Sequence, residues 1–77
     1  MIQELDDVIL ECDIPENGLR RGDVGTVVLV HPGRAGYEVE FTALDGRTVA
    51  VVTLAASQVR PVGSGEIAHA RELVNTY

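Results

Sequence analysis

A chain of 77 residues with one cysteine and a net charge of −6 makes one small domain, with no intramolecular disulfide and no multi-cysteine zinc site. All six basic residues are arginine, and seven of the twelve carboxylates crowd the first 23 residues. Such a surface repels phosphate backbones and anionic lipids, so nucleic acid and membrane are poor partners, whereas a basic protein is a good one; the same acidity also keeps a small protein soluble. A lone thiol, Cys12, fits a reducing cytoplasm. The N-terminus lacks the basic start and apolar core of a signal peptide, and the apolar run at 27–30 is far too short to cross a membrane.

The first predicted strand covers 8–12, directly after the acidic residues Glu4, Asp6 and Asp7. Pro15, the pair Asn17-Gly18 and Gly22 then punctuate a loop, long enough to fold over a barrel as the RT loop of SH3 domains does. The run Arg21-Gly22-Asp23-Val24-Gly25-Thr26-Val27-Val28 reads as a tight diverging turn, shaped by Gly22 and Gly25, that feeds a second strand over 26–31. That strand is β-branched and almost continuously apolar, which predicts burial on both faces or a strong bend. After a turn at 32–36, residues 37–42 alternate with period two: Tyr37, Val39 and Phe41 face the core, and Glu38, Glu40 and Thr42 face water. Asp45-Gly46 predicts a type I′ hairpin turn. A fourth strand returns over 48–54, one 3₁₀ turn falls at 55–57, and a last strand over 58–62 keeps Pro61 at a sheet edge. Ser64, within Gly63-Ser64-Gly65, can cap a helix over 66–75. Ile67, Ala70, Leu73 and Val74 form its apolar stripe. A helix of that length does not stand alone in water, so it docks on the barrel, docks on a partner, or frays. The pattern is all-β: a small five-stranded SH3-like barrel over 1–62 with a short C-terminal α-helix in the extension 63–77.

Groups with chemical potential are few, and none forms a constellation. His31 and His69 lie on different elements with no second ligand at metal spacing, and read as surface histidines. Asp6 and Asp7 are adjacent on a strand and point to opposite faces, so they do not chelate together. Cys12 sits between Glu11 and Asp13, which oppose a reactive thiolate, and reads as a small semi-buried residue. Glu38 and Glu40 stand about 7 Å apart on one strand face, where nothing desolvates either carboxylate. Gly22, Gly25, Gly33 and Gly36 do not make a phosphate loop, because a Walker pattern needs a lysine and this chain has none. Arg20, Arg21 and Arg34 are expected to cluster near the barrel mouth. The only aromatics are Tyr37, Phe41 and Tyr77, too few for an RNA-stacking platform or a groove for proline-rich peptides. No cofactor and no catalytic residue is expected.

Several pieces together resemble a family of small bacterial proteins of unknown function with an SH3-like, KOW-like barrel. They are Leu5-Asp6-Asp7-Val8-Ile9-Leu10, Pro15-Glu16-Asn17-Gly18-Leu19, Gly22-Asp23-Val24-Gly25-Thr26-Val27-Val28, Tyr37-Glu38-Val39-Glu40-Phe41, Asp45-Gly46, Val51-Val52-Thr53-Leu54 and Val59-Arg60-Pro61-Val62. The resemblance spans 7–62 and implies a fold but no activity. It also implies that members can be encoded beside toxin-like proteins, and hence an antitoxin or immunity role. On that reading Asp6, Asp7, Glu11, Asp13 and Glu16, with Glu4, form an acidic rim that complements a basic toxin, and Ile67 and Leu73 on the terminal helix anchor apolar contact. Arg20, Arg21 and Arg34 could touch an acidic part of a partner. The alternative is a KOW-like nucleic-acid or ribosome-associated module using these three arginines and Arg47. Homodimerisation through an edge strand or through the C-terminal helix is a further expectation.

Overall fold

Residues 37–42 keep their alternation in the computed structural model, which describes residues 1–73. Tyr37, Val39 and Phe41 are buried, Glu38 and Glu40 are half-buried, and Thr42 is exposed. This strand belongs to a single antiparallel sheet of five: β1 (Asp7–Leu10), β2 (Val24–Val30), β3 (Gly36–Thr42), β4 (Thr48–Ala55) and β5 (Val59–Pro61). The spatial order is β4-β3-β2-β1-β5, so β2, β3 and β4 form a meander while β5 returns beside β1. Short 3₁₀ turns at Pro15–Asn17, Pro32–Arg34 and Ala56–Gln58 join the elements. The strand count and the 3₁₀ turn before the last strand match expectation, and Pro61 does lie in an edge strand. Among the described residues, no helix is long and apolar enough to cross a membrane.

The core gathers side chains from every strand. Val8, Leu10, Val27, Val39, Phe41, Leu54 and Val59 are almost fully buried, and full burial of an apolar side chain of this size contributes roughly 1.5–3 kcal/mol. Two members come from the loop between β1 and β2. Ile14 and Leu19 bridge each other across the 3₁₀ turn and are 7% and 3% exposed. That loop therefore folds back as a small hairpin that lays its two apolar residues over the core. The unbroken apolar run of β2 has a different cause from burial on both faces. A register shift between Val27 and Leu29 bends the strand and leaves Val28 and Leu29 42% and 47% exposed.

Three local expectations are corrected. The β3–β4 hairpin is not a type I′ turn: Gly46 has φ 93°, but Asp45 is not among the residues with positive φ. The Gly46 amide donates to the Ala43 carbonyl and the Ala43 amide to the Arg47 carbonyl. These bonds close a three-residue loop with glycine at its left-handed position. Gly25 does not shape the turn either, since it lies inside β2 with its α-carbon pressed on the core. A Cβ there would stand 2.5 Å from Val39 Cγ1 and 2.8 Å from Phe41 Cε2. Gly22 alone supplies the turn, at φ 97°. Finally, residues 66–73 form no helix. The Glu66 carboxylate turns back to the Gly63 amide and the Arg60 guanidinium, while Arg71 is drawn to Asp23. A segment this short has no helical cooperativity with which to resist those pairings. Val74, Asn75 and Tyr77 lie outside the described residues.

Candidate functional site

The acidic residues of the N-terminal third divide into two groups rather than one rim. Glu4, Asp6 and Asp7 stand at the start of β1, and Glu11, Asp13 and Glu16 follow its end; β1 spans four residues, about 10 Å of strand. Most of these carboxylates also hold the local structure. Asp6 accepts from the Gln3 amide at 2.9 Å, Asp7 from Thr26 Oγ1 at 3.1 Å and Asp13 from the Arg21 amide at 2.9 Å. Glu11 Oε1 lies 3.5 Å from Arg60 Nε, and Glu16 is exposed on the 3₁₀ turn Pro15–Asn17. All six are exposed.

The arginines do not gather. Arg20 and Arg21 precede β2 and Arg34 follows it, so the seven-residue strand, about 20 Å long, stands between them. The expected cluster of three is therefore absent. Arg34 Nη1 donates to the Ile2 carbonyl at 2.6 Å, which fastens the N-terminal segment to the β2–β3 turn. Arg47 is exposed in the β3–β4 loop, where its amide donates to Asp45 Oδ1.

On the outer face of β2, β3 and β4 a polar network emerges that sequence reasoning did not find. His31 Nε2 lies 2.6 Å from Glu38 Oε2, and Thr53 Oγ1 donates to both Glu38 oxygens at 2.8 Å. The His31 and Thr53 hydrogen bonds hold the Glu38 pKa below the ordinary value. The carboxylate is thus ionised and accepts only, which makes the imidazole Nε2–H the donor. Thr48 Oγ1 donates to Glu40 in the same way at 2.7 Å. These carboxylates are hydrogen-bonded by their cross-strand neighbours and are not simply a hydrated face. The signal was the register: Glu38 faces Leu29 on one side and Thr53 on the other. Among the described residues, no three His, Cys, Asp or Glu side chains come together as a metal site would require. Cys12 is half-buried against the core and accepts a weak bond from Gln58 Nε2 at 3.6 Å.

Two arginine clasps hold residues 63–73. Arg60 grips Glu66 through two parallel bonds of 2.8 and 2.7 Å, the fork geometry that makes such pairs strong. With the Gly63 amide added at 2.6 Å, the Glu66 pKa falls to about 2. Arg71 reaches much further: Nε bonds Asp23 Oδ1 at 2.8 Å, and Nη2 bonds Asp23 Oδ2 at 2.5 Å and the Gly18 carbonyl at 3.0 Å. Partial burial raises the Asp23 pKa, but Arg71 and the Arg20 amide outweigh it and leave the value lowered. Ile67, expected on the docking face of a helix, is 93% exposed between the clasps. Leu73 is half-buried.

The profile of a domain of unknown function, DUF4926, matches residues 4–61. The chain belongs to this family. The DUF4926 region starts at the first acidic residue and ends with β5, so it contains the whole sheet and both acidic groups. Glu66 and Arg71 fall outside it, and both bond back into it. Comparison with curated proteins and with solved structures found no match.

Proposed function

We propose that this DUF4926 protein is a non-catalytic protein-binding module, a small SH3-like barrel of the bacterial cytoplasm. Its acidic groups at the two ends of β1 would hold a basic partner as an antitoxin or immunity protein holds a toxin. The strand order, with β5 returned beside β1, supports the barrel reading, and the single free thiol supports the compartment.

One observation carries the binding proposal: three of the six arginines are engaged within the chain, while most of the carboxylates at the two ends of β1 are left exposed and without a cation. Arg34, Arg60 and Arg71 each bond groups of the chain itself. Glu4, Asp6, Asp7, Asp13 and Glu16 are exposed, and no cation lies within ion-pair distance of them among the described residues. Charge displayed in this way accelerates encounter with an oppositely charged surface and makes it depend on salt.

Neutralising each acidic group separately tests the proposal. Asp6→Asn and Asp7→Asn keep their acceptor oxygens, so with Glu4→Gln they remove charge at one end of β1 without undoing its turns. Glu11→Gln, Asp13→Asn and Glu16→Gln do the same at the other end. The association rate with the protein captured by the wild-type chain should fall about tenfold or more for at least one set, and its salt dependence should flatten. Unchanged rates in both sets would refute the charge-based reading. Micromolar binding of RNA or DNA by fluorescence anisotropy, weakening steeply with salt, would favour a nucleic-acid module instead.

A further inference from the structure

We propose that the free edge of β4 pairs with the same edge of a second copy of this chain, joining two five-stranded sheets across a two-fold axis at Val51. β4 has β3 on one side, and among the described residues no strand pairs with its other side. The backbone groups on that open side follow from the ladder. Gly36 faces Ala55 in a continuous register down to Phe41 and Ala50, and the Ala56 amide donates to the Ala35 carbonyl at 3.0 Å. Antiparallel pairs alternate between bonded and non-bonded. Leu54, Val52 and Ala50 therefore aim their amides and carbonyls at β3, and Ala55, Thr53 and Val51 aim theirs outward.

An open row of this kind templates strand addition unless it is blocked by charge, proline or a bulge. The two edges of the sheet differ sharply in this respect. β5 carries Arg60, clasped to Glu66, and Pro61. β4 reads Thr-Val-Ala-Val-Val-Thr-Leu-Ala, eight residues without a charge or a proline; its one irregularity is the register shift at Val49 near its start, which leaves 50–55 regular, and Val51 in that stretch is 56% exposed.

A second copy suits this edge better than a basic partner does. With the axis at Val51, Val51 meets its own counterpart, and Val52 of each copy meets Ala50 of the other. β4 contains no charged residue, so no like charges face each other within the paired strands. β4 itself offers a basic segment no carboxylate. The nearest carboxylates, Glu38 and Glu40 on β3, are already hydrogen-bonded to Thr53 and Thr48, and the acidic groups that flank β1 are three strands and about 14 Å away, beyond the roughly 8 Å over which charge acts at physiological salt. Self-association thus proceeds despite a net charge of −6, and it leaves the β1 ends of both copies open.

Sedimentation equilibrium of the full chain, from low micromolar to millimolar, should give a mass rising to twice 8.3 kDa. Val51→Lys places two lysines opposite each other on the exposed face and should raise the dimer dissociation constant at least about tenfold. Val51→Pro removes only an outward amide and should do the same. Intermolecular NOEs in a mixture of labelled and unlabelled wild-type chains supply a readout independent of any substitution, and should connect the Val51 methyls of the two copies. A wild-type chain monomeric at millimolar concentration would overturn the proposal. So would variants that dimerise as tightly as wild type, or NOEs confined to another surface. A monomer that loses its captured protein on Val51→Lys would make the edge a strand-addition site for that protein and would equally overturn self-pairing.

Discussion

Gly25 and Glu66 show how single residues act here through packing and through charge. Gly25 lies within a strand, where glycine is ordinarily unfavourable, because the Val39 and Phe41 side chains occupy the space of its missing Cβ. Gly25→Ala should therefore destabilise the fold by about 1–3 kcal/mol, read from the urea midpoint. The sequence signalled a special glycine at this position, but not that the demand was for space rather than for a turn, because that depends on which side chains of β3 lie opposite. For Glu66 the expectation concerns pH. Its folded pKa of about 2 lies below the ordinary value of 4.5, so its stabilising contribution is complete above the ordinary value and disappears as pH falls through the folded one. The melting-temperature gap between wild type and Glu66→Gln should be present at pH 6 and close as the pH approaches 2. A gap that stays constant across the range would mean that the Arg60 clasp does not act through charge.

At the scale of elements, what was legible is what periodicity and turn chemistry control. The alternation of β3, the turn at Pro32 and Gly33 and the edge position of Pro61 are local properties, and each appears where expected. Partnership decided the rest. Ile14 and Leu19 looked like loop residues because Pro15, Asn17 and Gly18 surround them, yet their mutual bridge carries both into the core. Asp45-Gly46 suits both a two-residue and a three-residue loop, and the shift in β3–β4 pairing after Phe41 selects the longer one. The stripe of Ile67, Ala70 and Leu73 fits a helix in isolation, but two carboxylate–arginine contacts decide the path of that segment instead. Arg71→Ala should accordingly free residues 66–73 while leaving the sheet intact. Hydrogen exchange should speed up in that segment and around Gly18, with a global loss of only about 1 kcal/mol. Equal loss of protection across β2, β3 and β4 would show that the clasp belongs to the core.

For the whole molecule, charge was legible from composition, but its distribution was not. The count of carboxylates promised an acidic face, and β1 divides it between two ends of one strand. The arginines could be counted too, but nothing local revealed that Arg34, Arg60 and Arg71 are engaged within the chain, nor that β2 keeps Arg20 and Arg21 apart from Arg34. The network of His31, Glu38 and Thr53 depends on the register of three strands and is invisible in a linear reading. The Arg71–Asp23 contact also bears on the order of folding. It links residues 48 positions apart, whereas the meander from β2 to β4 closes through short connections. Loop-closure entropy favours short-range pairing first, so the meander assembles before this long-range contact can hold. The clasp should then close only after the meander, in the same late stage as the equally long-range pairing of β5 with β1.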